Sequence, residues 1–229
     1  MQFALYLIPD EGKLYNLGST CVGYDIRNSK VISGKKLGNM PISDSWQIET
    51  KLYGFHLTIT DLVTISNEKI IKIVNCIAKI LKALDFNSIE MGNGEISFMP
   101  NNQKVLSLIY KNNYKLLILH TLLVSYVQSM GENSLYLEKL LNNRSKQEFS
   151  ASDIAKIRLF LSPYVFDKFL PHMTLLNPVS EKDRETIANN AREIICTFPN
   201  QLNIQKISLV LRNDENSPLC IYKEFKLGI

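Results

Sequence analysis

The sequence predicts an α+β fold: a bilobal, duplicated arrangement of two antiparallel sheets with flanking helices around a central cleft. Two observations predict it. Two short stretches, Gly54-Phe55-His56-Leu57-Thr58-Ile59-Thr60 and Pro171-His172-Met173-Thr174-Leu175-Leu176, carry the same His-apolar-Thr-apolar pattern. Each heads a run of strand, Ser-led helix and strand. Residue identity between the two runs is thin, so the repeat is one of pattern rather than of sequence. Two such lobes about a pseudo-twofold axis bring equivalent strands face to face, with their polar side chains on opposite walls of one cleft. Residues 1–229 are therefore expected to form a single bilobal domain with two interleaved lobes.

The elements follow in order. Phe3–Ile8 is aromatic and aliphatic and stops at Pro9, which reads as a strand. From Asp10 to Lys51 glycines punctuate mixed signals, with short helical or strand pieces around Leu14–Leu17 and Gly23–Arg27. Pro41–Thr50 reads as a short helix or a loop. After the His56 strand, apolar residues from Ile70 to Leu84 recur at helical spacing, predicting an amphipathic helix over Asn67–Leu84. Phe86–Met91 and Glu95–Met99 read as strands around Gly92-Asn93-Gly94, a tight hairpin turn. Val105–Tyr110 reads as a strand and Asn113–Met130 as a long helix. Gly131–Ser150 is polar and Asn-rich, a connection between halves. Ser150-Ala151-Ser152-Asp153 resembles a capping box and opens a helix to about Leu161. After the His172 strand, Ser180-Glu181-Lys182-Asp183 starts a helix to about Cys196. Leu202–Leu211 and Leu219–Leu227 close the chain as strands around the polar turn Asn213–Pro218.

The 229 residues can bury a sizeable core. A net charge of +4 suits a phosphorylated substrate but is too mild for a nucleic-acid coat protein. A solvated Lys-rich surface accounts for it equally well. The four cysteines, Cys21, Cys76, Cys196 and Cys220, form no Cys-x-x-Cys. Reduced thiols are expected, with Cys76 and Cys196 acting as small hydrophobes in helices. The apolar start of the chain lacks a basic leader and is short for a signal peptide. The longest apolar run, Leu116–Val127, falls short of the roughly 20 residues that span a bilayer. The expectation is a cytoplasmic protein, monomeric and off the membrane.

In a strand, residues two apart share a face. His56 and Thr58 thus point one way, as do His172 and Thr174. Two of the chain's three histidines sit in this arrangement. One His-x-Thr occurs often by chance; two in matching contexts argue for one site. Histidine titrates near neutrality, so His56 and His172 can serve as general base and general acid at a phosphodiester. Thr58 and Thr174 can hydrogen-bond the non-bridging phosphate oxygens. Tyr53 and Tyr164 lie near the motifs and are candidates to stack on a base or sugar, a role that competes with core packing. His120 lies in the apolar Asn113–Met130 helix and reads as a packed or surface residue. No metal-ligand spacing is present, and no metal or other cofactor is expected. The competing reading is a non-catalytic module that binds a nucleotide or an RNA end. A metal hydrolase would require all three histidines to converge.

These residues resemble the 2H phosphoesterase superfamily, named for two His-apolar-Thr/Ser-apolar motifs. Within it, Tyr53-Gly54-Phe55-His56-Leu57-Thr58 is similar to the Tyr-Gly-Phe-His-Ala-Thr segment of the DUF1045, phosphonate-metabolism-associated branch. Leu17-Gly18 with Val22-Gly23-Tyr24-Asp25 resembles that branch's Gly-Tyr-Asp signature. Pro163-Tyr164-Val165 before Phe169-Leu170-Pro171-His172-Met173-Thr174 resembles its approach to the second histidine. The sequence differs where Leu161-Ser162 replaces Gly-Tyr and where Lys51 stands near an expected Arg. The resemblance implies a bilobal α+β fold and metal-independent cleavage of a cyclic or 2′-5′ phosphodiester. The substrates it implies are a 2′,3′-cyclic phosphate, a cyclic nucleotide, short RNA or a phosphorylated sugar. It implies acid–base roles for His56 and His172 and phosphate binding by Thr58 and Thr174.

Overall fold

Phe3 to Leu7 is an unbroken apolar run, and the strand it forms, β1 (Gln2–Leu7), is buried along its whole length. In the computed structural model, which describes residues 1–33, 35–132 and 149–228, β1 belongs to a seven-stranded sheet. Its companions are β2 (Leu57–Thr64), β3 (Glu95–Met99), β4 (Asn102–Ile109), β5 (His172–Leu176), β6 (Lys206–Arg212) and β7 (Cys220–Lys226). The order is β7-β6-β1-β2-β5-β4-β3, and every neighbouring pair is antiparallel. The two histidine strands, β2 and β5, are neighbours. One register pair joins them, Leu57 opposite Met173. The two expected sheets are thus two leaves, four and three strands wide, merged at a narrow seam. The histidine strands lie side by side rather than face to face, meeting at that one pair.

Five α-helices lie among the described residues: α1 (Lys13–Val22), α2 (Ile70–Leu84), α3 (Tyr114–Tyr126), α4 (Ala151–Phe160) and α5 (Arg184–Ile195). In α2 the buried set is Ile73, Ile77, Ile80 and Leu81, one stripe at helical spacing. Helix α3 buries Leu116, Leu119, His120, Leu123 and Val124, and Asn113 caps it by accepting from the Lys115 N–H. The capping box of α4 forms as read: Ser150 Oγ accepts from the Asp153 N–H, and the Asp153 carboxylate accepts from the Ser150 N–H.

Several element readings change. The mixed region after Asp10 contains the full ten-residue α1, with Gly18 inside it. Ile89–Met91 does not pair with β3. It pairs with Leu202–Ile204 in a separate two-stranded sheet, so Gly92-Asn93-Gly94 is not a hairpin turn. The cause is Asn200, whose side chain accepts from the Gly94 N–H and donates to the Gly94 carbonyl, peeling the chain away. The hairpin that does form joins β3 to β4. The predicted strand Leu202–Leu211 breaks at Gln205, where it passes from the small sheet to the large one. The helices expected from Asn67 and from Ser180 each begin with a short 3-10 turn. Most of the predicted Gly131–Ser150 connection lies outside the described residues.

Candidate active site

Leu57 and Met173 are both buried and face each other across the seam. Their neighbours in each strand therefore point to the opposite face. Extending the register one residue each way sets Thr58 opposite His172 and His56 opposite Thr174. Side chains directly opposite in an antiparallel pair share a face, with Cβ atoms about 5 Å apart. His56, Thr58, His172 and Thr174 thus form a two-by-two block on one sheet face, not on opposing walls. All four are half-buried. They line two adjoining cavities of about 550 Å³ each. Thr58 and Thr174 belong to both cavities; His56 opens into the first and His172 into the second.

The two rings are held by the same device. His56 Nδ1–H donates to the carbonyl of Gly54, two residues back, at 2.9 Å. His172 Nδ1–H donates to the carbonyl of Leu170, also two residues back, at 2.8 Å. A carbonyl can only accept, so in both neutral rings the free lone pair lies on Nε2. On His56 that nitrogen accepts from the Thr58 hydroxyl at 3.0 Å. Tyr6 stacks on the His56 ring, with centroids 3.5 Å apart and planes within 15°. Burial pushes His56 down to about 4, and the neighbouring charge of His172 adds to this; the Gly54 hydrogen bond opposes it. Burial also lowers His172, but the Leu170 hydrogen bond and the Asp61 carboxylate hold it up.

Asp61 was not singled out in the sequence, and a bulge explains its place. Between Tyr6 opposite Thr58 and Leu5 opposite Thr60, β2 spends one extra residue. Ile59 and Thr60 are both buried as a result, and Thr60 Oγ1 accepts from the Leu5 N–H. The phase change turns Asp61 to the face of Thr58, where it lines both cavities. Burial raises its carboxyl pKa, opposed by a Ser162 hydrogen bond and by His172. A lone carboxylate inside an apolar strand was the signal available in the sequence. Tyr53 and Tyr164 both line the first cavity, and Tyr164 also reaches the second. Gln2, Ser162 and Arg212 also line the first and carried no motif.

Local glycine geometry shapes the approach to His56. Gly54 has φ +74°, and an added Cβ would lie 2.7 Å from Ile26; this bend delivers its carbonyl to His56. A Cβ on Gly18 would collide with the Phe55 ring, so α1 rests directly on the residue before His56. Gly23 ends α1 in the left-handed region, Tyr24 donates to the Leu219 carbonyl, and Asp25 accepts from Tyr15 and from the Arg27 and Asn28 N–H groups. Leu161 holds φ +61°, a left-handed backbone conformation that glycine adopts without strain.

His120 is buried, as a packed residue. Its Nδ1–H donates to the Ile59 carbonyl at 2.7 Å and its Nε2 accepts from the Phe166 N–H at 3.1 Å. It ties β2 to the turn that approaches His172, and burial pushes it down to about 4. All four cysteines are free. Cys196 is exposed at the end of α5 rather than packed inside a helix. Burial pushes the Cys21 thiol up to about 12. Among the described residues, no three His, Cys, Asp or Glu side chains converge as a metal site. No described helix is long and apolar enough to cross a membrane.

Residues 119–220 match the family described as "Protein of unknown function (DUF1045)". The chain resembles that family over this stretch, which contains His172 and Thr174 and leaves out His56 and Thr58. Among solved structures, TT0787 of Thermus thermophilus is similar over 100% of this chain and 98% of its own, at 14% identity and a TM-score of 0.55. That likeness establishes a shared fold. Escherichia coli LigT complexed with NADP+ matches 99% of this chain and 96% of its own, at 12% identity and a TM-score of 0.48. A phosphoesterase structure matches over 99% of this chain and 97% of its own, at 11% identity and a TM-score of 0.47. No curated protein matches.

Proposed function

We propose that this protein is a metal-independent 2H-type phosphodiesterase that opens a cyclic or 2′-5′ phosphodiester by paired acid–base catalysis. The observation that carries the reading is the two-by-two block, with both histidines locked into the same tautomer. A pure binding module has no use for two histidines that each bond Nδ1 to the backbone and turn Nε2 away from it. The side-by-side leaves, joined at Leu57 and Met173, also support one domain built from two related halves about a pseudo-twofold axis.

The roles follow from the surroundings. His56 is neutral at working pH and serves as base. Its Nε2 takes a proton from a water as the water oxygen attacks phosphorus. Burial lowers His172 too, but the Leu170 carbonyl and the Asp61 carboxylate oppose that, and His172 serves as acid. Its Nε2–H gives a proton to the leaving ribose oxygen as the P–O bond breaks. Water adds across the diester, yielding a monoester and a free hydroxyl. The Thr58 and Thr174 hydroxyls hydrogen-bond the non-bridging oxygens as charge builds there. Tyr53 and Tyr164 flank the substrate's base or sugar. The substrate class is a nucleotide, a short RNA end or a phosphorylated sugar. A cytoplasmic, monomeric enzyme fits this reading.

The test is a panel of 2′,3′-cyclic nucleotides, 2′-5′ oligoadenylate and sugar cyclic phosphates, assayed in EDTA. Products are resolved by phosphate position. Ring opening to a single regioisomer is expected, because one fixed acid protonates one leaving oxygen. Tight binding without turnover across the panel would instead establish the binding-module reading. Loss of activity in EDTA would point to a metal.

A further inference from the structure

The structure assigns Arg212 a task that diester cleavage alone does not require: holding a second anionic, phosphate-class group of the same substrate. This rests on the phosphodiesterase reading for its substrate, though not for its geometry. Arg212 ends β6 and pairs in register with Gln2. It is only 7% exposed, yet it lines the cavity that His56 opens into. Its Nε–H donates to Gln2 Oε1 at 2.7 Å, and its guanidinium lies 5.4 Å over the Tyr53 ring. Its Nη1 is buried without any hydrogen-bond partner.

Among the described residues, no carboxylate lies within ion-pair distance of it. Asp214, the acid nearest in sequence, is hydrogen-bonded by Ser217 and the Asn216 N–H and feels the charge of Arg212 only from beyond ion-pair distance. Glu215, on the cavity rim, is exposed and forms no ion pair with it. The contrast is Arg27, which has Glu224, Asp10 and two backbone carbonyls. A desolvated guanidinium with idle donors is costly unless an anion compensates it. Its planar fork suits the paired oxygens of a phosphate.

The strand register sets the Arg212 end of the cavity apart from the histidine end. Gln2 and Tyr6 are four residues apart on β1, a span of about 13 Å between their Cα atoms. Tyr6 stacks on His56 at one end, and Gln2 anchors Arg212 at the other. The cavity of about 550 Å³ contains both ends. A sugar or nucleoside fits between a diester at the histidines and a monoester at Arg212.

The test uses the full-length protein and two pairs of probes. Calorimetry compares adenosine 5′-monophosphate with adenosine. Kinetics compare adenosine 2′,3′-cyclic phosphate with its 5′-phosphorylated counterpart. Wild type should favour the 5′-phosphorylated member of each pair at least tenfold. Arg212→Gln should bring both ratios to within about twofold of unity, and Arg212→Lys should keep an intermediate preference. A wild type that binds the monophosphate no more tightly than adenosine overturns the proposal, whatever the variants' folding. So does a preference that survives in folded Arg212→Gln, since the phosphate then sits at the histidines. If neither diester is cleaved while nucleotide binding still depends on Arg212, the subsite stands and the phosphodiesterase reading falls.

Discussion

At the scale of residues, the account rests on how two chemically identical rings become different. Both donate Nδ1–H to a carbonyl two residues back. Only His172 has a carboxylate, Asp61, raising its proton affinity. The pH profile of kcat/KM should therefore rise as His56 loses its proton near 4 and fall below the ordinary histidine value of about 6.5. Asp61→Asn removes the charge that retains the His172 proton. The alkaline limb should then move to lower pH, a shift read directly from the profile. An unmoved limb would assign the proton donor elsewhere. The pairing of His56 with Thr58 and of His172 with Thr174 was legible in the sequence because strand alternation is a local rule. Asp61 was not, because its facing depends on a bulge set by β1, and Arg212 was not, because its cavity is assembled from strands distant in sequence.

At the scale of elements, small contacts behind the strands fix the site. Gly18→Ala in an open helix would stabilise by about 1 kcal/mol. Here the new Cβ collides with the Phe55 ring, and overpacking of this kind costs about 1–3 kcal/mol. Net destabilisation is expected in urea melts, with reduced kcat as Phe55 shifts the adjoining His56. His120 gives a second prediction. In the unfolded chain it protonates near 6.5, whereas the folded protein keeps it neutral to about 4. The unfolded state thus binds more protons in that window, and stability should fall with falling pH by about 1.4 kcal/mol per unit from this group. His120→Leu should flatten part of that slope. It should also cost roughly 2–4 kcal/mol at pH 7, since the Ile59 carbonyl and Phe166 N–H lose their partner. A variant as stable as wild type would show that the tie between β2 and the His172 turn is dispensable. Helices α2 and α5 were readable because their apolar stripes are local, and α3, apolar on every side, because its run is too long for a strand. Helix α1 was hidden because its interior glycine answers a tertiary contact. The hairpin at Gly92-Asn93-Gly94 failed for the converse reason: Asn200, more than a hundred residues away, captures Gly94.

At the scale of the whole molecule, two leaves share one sheet, and that sharing turns two weak motifs into one site. The face-to-face arrangement expected from duplication gave way to side-by-side strands that meet at one register pair. Because β1 and β2 belong to one leaf and β5 to the other, neither half keeps the site alone. Unfolding should be a single transition in which Trp46 fluorescence and far-UV circular dichroism coincide. Two separated transitions would mean the leaves are independent units. The most direct test of the central claim is turnover of adenosine 2′,3′-cyclic phosphate in EDTA by wild type, His56→Ala, His172→Ala and the double variant. The account predicts that wild type turns over, that each single variant loses about 10²–10⁴-fold in kcat, and that the double variant is little worse than either. Undiminished turnover in either single variant would contradict it.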